Sequence, residues 1–187
     1  MTMRPPLPPG QRLTTDFPVL HLGPIPKFDP KTWDFRVEGD IGDPLRFTWD
    51  QLMQLTHVES ISDFHCVTTW SRFDNRWEGI QFRTIAQLAR PTATARFVTA
   101  WCDGGYTTGL PLSDVMEPDV LLAYRWEGKP LAPEHGGPLR LVVPQKYAYK
   151  AAKWLRGLRF TADQELGYWE QRGYSNSADP WKEERYA

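Results

Sequence analysis

The sequence predicts an α+β fold in a single domain, and three observations predict it. Stretches of strand length, some alternating and some wholly apolar, recur along the chain. The helical stretches between them are one or two turns long and do not alternate regularly with strands, as β-α-β units would. Finally, 187 residues suffice for one sizeable core or a tight pair. Residues 1–16 are Pro-rich and polar, an extended arm that wraps the domain or stays mobile, so the domain proper is expected over 17–187.

Element by element, Trp33, Phe35 and Val37 alternate with Asp34, Arg36 and Glu38, the period of a half-buried strand. Gly39, Gly42 and Pro44 punctuate it before a short strand at 46–48, and Thr48 or Asp50 then caps a short helix carrying Leu52, Met53 and Leu55. From Val58 to Trp70 the chain reads as strand and then irregular around Cys66, with another strand end at Ile80 and Phe82. Thr84 caps a helix through IAQLA that Pro91 stops. Residues 96–101 form a strand, GGYTTGLPL a turn and an extended piece, and Ser113 starts a helix ended by Pro118. DVLLAYRW and PLRLVVP are apolar strands about a turn at EGKP, and WLRGLRF is the last strand. The aromatic, charged run after it is either substrate-facing or a packing cover, and is read as the cover.

Composition narrows the function. With 22 basic and 23 acidic side chains the formal charge is −1, so no strong field draws the chain to nucleic acid or an anionic membrane. Nothing approaches the ~18 consecutive apolar residues of a membrane span. MTMRPPLPPGQR has neither an apolar stretch after its charge nor a twin arginine, so no export signal and a cytoplasmic location are expected. Two cysteines in such a protein are seldom a disulfide, and each thiol needs its own account. Cys102 follows an apolar strand and fits a core. Cys66, in DFHCVTTWSRFDNRWEGI, has polar and aromatic neighbours and fits a core less well. Without CxxC or HExxH, a metal bound by Cys66 needs donors from a cofactor.

Two further segments carry possible anion chemistry. In PEHGGPLRLVVP, His135 and Arg140 flank glycines that let backbone approach a ligand, and a guanidinium suits a phosphate; the plainer reading is a hairpin turn. In KYAYKAAKWL, Lys146, Lys150 and Lys153 share one face of a helical turn among small alanines, either as a phosphate cradle or as a solvated basic face.

The order of these segments is more specific than any one of them. Cys66 followed by Trp-Ser and Trp-Glu-Gly, then DGGYTTGLPL, DVLLAYRWEGKPL, PEHGGPLRLVVP, KYAYKAAKWL, GYWE, RGY and DPWKEERY, closely resembles the molybdopterin-binding domain of the sulfite-oxidase family from about Phe17 to Tyr186. The resemblance implies a mixed-sheet α+β fold and one Mo-molybdopterin, a single pyranopterin without a dinucleotide. It implies Cys66 as the metal's protein ligand and as the catalytic cysteine. His135 and Arg140 would contact the pterin and its phosphate, Ala151, Ala152 and Lys153 would hold the phosphate end, and His21 and Leu22 would touch the pterin. A further pterin contact is expected around Cys102 or Asp103.

The implied activity is two-electron oxygen-atom transfer on a small substrate, with an electron partner that the sequence leaves unidentified. The alternatives are a non-catalytic or partner-dependent molybdopterin-binding subunit, or a thiol hydrolase using Cys66 with His135 or His65. The immunoglobulin-like and haem domains of vertebrate and plant relatives are expected to be absent. VTTWSR departs from the true sulfite-oxidase pattern and resembles the methionine-sulfoxide reductase branch, with Thr68 in place of an acid. No sulfite-binding arginine cluster carries over, although Trp70, Arg72 and Arg76 are placed to shape a substrate mouth.

Overall fold

A computed structural model describes residues 7–187, so the first six residues of the expected arm lie outside the described residues. The strands are β1 (Arg12–Leu13), β2 (Asp34–Gly39), β3 (Leu45–Thr48), β4 (Val58–His65), β5 (Trp70–Gln81), β6 (Phe97–Cys102), β7 (Thr107–Pro111), β8 (Leu121–Trp126), β9 (Lys129–Pro130), β10 (Arg140–Val142) and β11 (Leu155–Thr161). Three short helices interrupt them: α1 (Trp49–Leu52), α2 (Phe82–Ala89) and α3 (Leu112–Val115). One sheet runs β1-β5-β8-β10 with β4 on β5 and β9 on β8; the other runs β3-β2-β11-β6-β7. Both are mixed: β1 lies parallel to β5 and β11 parallel to β2, while the remaining pairs are antiparallel. Among the described residues no helix is long and apolar enough to cross a membrane.

The main core fills the space between the sheets. Phe35, Val37, Val98, Leu158 and Phe160 come from one sheet, Ile80, Leu122 and Leu141 from the other, and Phe82, Ile85 and Ala89 from α2. Each such side chain removed from water contributes roughly 1.5–3 kcal/mol. The period of two then sends Leu121, Ala123 and Val142 to the opposite face of the six-stranded sheet, where they join Phe64, Trp70 and Trp77 in a second, aromatic cluster. A strand buried on both faces reads as a continuous apolar run, which is why β8 and β10 stand out in the sequence. The same alternation sets Arg140, two residues before Val142, towards the second cluster.

Several boundaries differ from expectation for physical reasons. Thr48 is the cap of α1, in a reciprocal pair with Gln51, and the helix ends at Leu52, before Leu55. Helix α2 starts at Phe82, not after Thr84, because β5 runs straight into it and the Val120 carbonyl accepts from the Phe82 amide at 3.0 Å. Helix α3 starts behind Pro111, whose fixed φ suits a helix entrance, so Ser113 lies inside it. The 12-residue β5 is foreseen by the sequence only at its end. Register shifts opposite Ser62–Phe64 and at Glu78–Gly79, with Asp74 at φ +53°, break its alternation. EGKP turns β8 into the short β9, and β10 returns to pair with β8 further along.

Candidate active site

Cys66 occupies the tight connection between β4 and β5. Its amide donates to Trp70 O (2.8 Å) and its carbonyl accepts from the Thr69 amide (3.1 Å), with Thr69 at φ +79°. The N-terminal arm braces this turn. β1 adds to the Trp70 end of β5, and Gln11 Nε2 donates to Cys66 O at 2.9 Å. The Cys66 thiol lies 3.1 Å from Thr68 Oγ1 and borders a cavity of about 700 Å³, a volume suited to a cofactor with substrate.

Arg140 lies in the same cavity wall. It is 3 % exposed, its Nη1 donates to His135 O (2.9 Å), and its guanidinium lies 4.9 Å from the Phe64 ring centre. Among the described residues it has no carboxylate partner, and its buried Nε finds no acceptor. Burial lowers its pKa to about 10. Lys153 lines the cavity too, donating to Glu134 O at 2.6 Å; burial first and then the Arg140 charge pull its ammonium down to about 7. The backbone of 151–155 is sewn to the glycine loop by Trp154 N→Gly136 O, Leu155 N→Leu139 O and Leu141 N→Ala152 O. Gly136, at φ +106°, makes this possible, since a Cβ there would meet Lys153 Cβ at 2.9 Å. The amides of Ala152 and Lys153 have no acceptor among the described residues, and Ala152 is buried.

The structure brings most of the expected residues together. Cys66, Arg140, Ala151, Ala152, Lys153, His21 and Leu22 all border the one cavity. His135 does not. Phe17 stacks on its ring at 4.3 Å and presents its own face to the cavity, so His135 contributes the carbonyl that holds Arg140. Burial, Lys153 and Arg140 lower the His135 pKa. Asp103 lines the cavity whereas Cys102 is a core thiol whose pKa burial pushes far up. The three lysines share no face: Lys146 pairs with Asp114 (2.8 Å), and Lys150 is wholly buried against Glu170 and Gly109 O. Arg72 bonds Asn75, Glu127 and Thr15 O, and neither it nor Arg76 borders the cavity, so of the expected mouth only Trp70 remains. Sequence reasoning missed the cavity roles of Phe17, Tyr149, Tyr168, Trp169 and Tyr174. The last three belong to the aromatic terminal run read as a cover, and that density of rings was the available signal.

The donor set fits an anionic, metal-bearing pterin. Buried Arg140 and part-buried Lys153 line one cavity, the amides of Ala152 and Lys153 have no acceptor among the described residues, and a free thiol lies within electrostatic reach of both cations. Among the described residues no group of three or more His, Cys, Asp or Glu side chains is placed to hold a metal, so a metal on Cys66 would take its other donors from the cofactor. A Cys–His nucleophile pair fits less well: the hydrogen-bond partner of the Cys66 thiol is Thr68, and His65 Nδ1 is engaged by Ser71 Oγ at 2.8 Å.

Comparison with known proteins agrees with this geometry. Residues 22–169 match the family model described as the oxidoreductase molybdopterin binding domain. The uncharacterized oxidoreductase YuiH of Bacillus subtilis is 43% identical over 181 residues, which cover 96% of this chain and 91% of that one. The catalytic subunit MsrP of the protein-methionine-sulfoxide reductase of Campylobacter jejuni is 32% identical over 160 residues, covering 76% of this chain and 54% of its own length. In three dimensions the chain is similar to the sulfane dehydrogenase SoxCD of Paracoccus pantotrophus, with a TM-score of 0.68 and 20% identity over 75% of this chain and 41% of that one. The chain belongs to the family of oxidoreductase molybdopterin-binding domains.

Proposed function

We propose that this molybdopterin-dependent oxidoreductase moves an oxygen atom between a small substrate and water in a two-electron step, with Cys66 as the protein's ligand to molybdenum. The observation that carries the reading is Arg140: a buried cation with no counter-charge among the described residues, in the wall of the same cavity as a free thiol. A buried unpaired charge is costly, and a site that keeps one is built for an anion.

When bound, the cofactor supplies the two-electron couple and the oxygen exchange. The chain's own residues do the rest. Cys66 offers a thiolate from a turn fixed by β1 and β5, so the donor atom is held in place before any ligand arrives. Thr68 Oγ1, 3.1 Å from the sulfur, must donate once that sulfur is a thiolate, because a thiolate has no proton to give. Arg140, Lys153 and the amides of Ala152 and Lys153 would receive the phosphate of a single pyranopterin. The His135 and Glu134 carbonyls aim the two cations, and His21 and Leu22 border the pterin's side of the cavity.

The test is metal analysis of protein made in a host that assembles the cofactor. About one molybdenum per chain is expected, with loss of turnover in both Cys66→Ala and Cys66→Ser, since an alkoxide donor is harder and more basic than a thiolate. A molybdenum-free protein that is active, or a Cys66→Ala variant with full turnover, refutes it. A protein loaded with molybdenum yet inert until a partner is added would favour the subunit reading.

A further inference from the structure

The proposed function gives the Cys66 sulfur to the metal, and one side chain already touches that sulfur. Thr68 Oγ1 lies 3.1 Å from Cys66 Sγ, and both residues line the same cavity. The hydroxyl has no other hydrogen-bond partner among the described residues. The backbone holds it there from both sides. Arg185 Nη1 donates to Val67 O at 2.5 Å and so fixes the peptide that enters Thr68. The Cys66 amide closes the turn on Trp70 O (2.8 Å) and the Thr69 amide on Cys66 O (3.1 Å), while Gln11 Nε2 also donates to Cys66 O at 2.9 Å. A side chain branched at Cβ has few χ1 states, so on a pinned backbone the hydroxyl stays beside the sulfur. Arg140 and Lys153 act on the same sulfur through their charges, and their own hydrogen bonds go to the His135 and Glu134 carbonyls. Thr68 supplies the one directional contact to Cys66 Sγ among the described residues.

A metal-bound thiolate can only accept, so with Cys66 on the metal the Thr68 hydroxyl is the donor. Such a bond is stronger the more negative charge the sulfur carries. A metal that gains an electron returns density to its ligands, so the bond favours the reduced metal. Hydrogen bonding at a ligand sulfur is one of a protein's levers on reduction potential. We infer that Thr68 is a positioning residue for the metal couple: its hydroxyl makes Cys66 Sγ a weaker donor and so raises the midpoint potential of the molybdenum. The inference rests on the proposed function. A residue that only shaped the turn would leave the potential where it is, because the bonds that close the turn are made by backbone, Gln11 and Arg185.

The experiment is a redox titration of the holoenzyme followed by electron paramagnetic resonance, on the parent, Thr68→Val and Thr68→Ser. Valine keeps the branch at Cβ and lacks the donor, whereas serine keeps the donor and lacks the branch. Thr68→Val should shift a one-electron molybdenum equilibrium about tenfold towards the oxidised state, a midpoint ~59 mV lower. Its sulfur-to-metal charge-transfer band should move to longer wavelength, with molybdenum content equal to the parent's. Thr68→Ser should keep the equilibrium within threefold of the parent. A second readout needs no molybdenum: methylmercury on Cys66 of the cofactor-free protein, seen as the mercury-199 resonance that Cys66→Ala lacks. That resonance should move by more than its linewidth in Thr68→Val and return to the parent position in Thr68→Ser. A parent-like potential in Thr68→Val, or the same shift in Val and Ser, overturns the inference. So does molybdenum lost from Thr68→Val alone, which would give the residue to cofactor retention. Molybdenum missing from the parent as well refutes the proposed function instead, and the mercury resonance then decides by itself whether the hydroxyl donates to the sulfur.

Discussion

Arg140→Met should make the cofactor-free protein more stable while abolishing cofactor retention. Burial lowers the Arg140 pKa from 12.5 to about 10, which converts to roughly 3 kcal/mol against holding the charge in the empty site. The unpartnered buried Nε adds about 1–2 kcal/mol of the same sign. Methionine forfeits the charged hydrogen bond to His135 O, about 2 kcal/mol, and the contact with the Phe64 ring, about 1 kcal/mol. The net is a gain of about 1–2 kcal/mol, or roughly 2–8 °C in Tm for a chain of this size. The assay is thermal unfolding of parent and variant made in a host without the cofactor, beside molybdenum content from a host that makes it. A variant several degrees less stable when empty, or one that keeps its molybdenum, refutes the view that this cation is reserved for an anion.

Lys153 predicts a pH dependence. Its folded pKa of about 7 lies below the ordinary 10.5, so between those values the unfolded chain binds more protons and the empty protein gains stability as pH rises. An anion in the site favours the charged form, so binding takes up a proton above pH 7. Pyrophosphate affinity, measured by calorimetry in buffers of different ionisation enthalpy, should fall by up to about tenfold per unit between pH 7 and 9; Lys153→Met should flatten that slope, and a flat parent profile would disprove the assignment. Lys150→Met strands the buried Glu170 carboxylate and should lower unfolding stability in urea by about 3–5 kcal/mol, with Lys150→Met/Glu170→Met recovering most of it. If the double variant is as weak as the single one, the two groups do not act as a pair. Gly136→Ala forces a Cβ against Lys153 at φ +106° and should destabilise by about 1–3 kcal/mol, with weaker pyrophosphate binding in the same titration; unchanged values would mean that this approach does not set the cradle.

The elements were legible where one face or both faces are apolar. Trp33, Phe35 and Val37 announced β2 by alternation, and the LLA and RLVV runs announced β8 and β10 because both of their faces are covered. Strand β5 was not legible, since its bulges and the left-handed Asp74 move Trp70, Asn75, Trp77 and Ile80 out of any single period. The site was legible through order and residue type, which marked Cys66, Arg140 and Lys153. Spacing alone misjudged the lysines. Positions 146, 150 and 153 share a face only if the segment is helical, and it makes one tight turn at Ala148–Lys150 that sends Lys150 into the interior. The stacking of Phe17 on His135 depends on a contact across 118 residues, for which no local pattern exists.

The charged wall of the cavity is arranged against the stability of the empty protein. On the β10 side, period-two alternation drives an arginine inward where an aliphatic residue would be more stable, and the amides of Ala152 and Lys153, residues that line the same cavity, have no acceptor among the described residues. Each of these groups is a free-energy deficit in the empty protein, and each is relieved by one anion, so the deficit reappears as binding affinity.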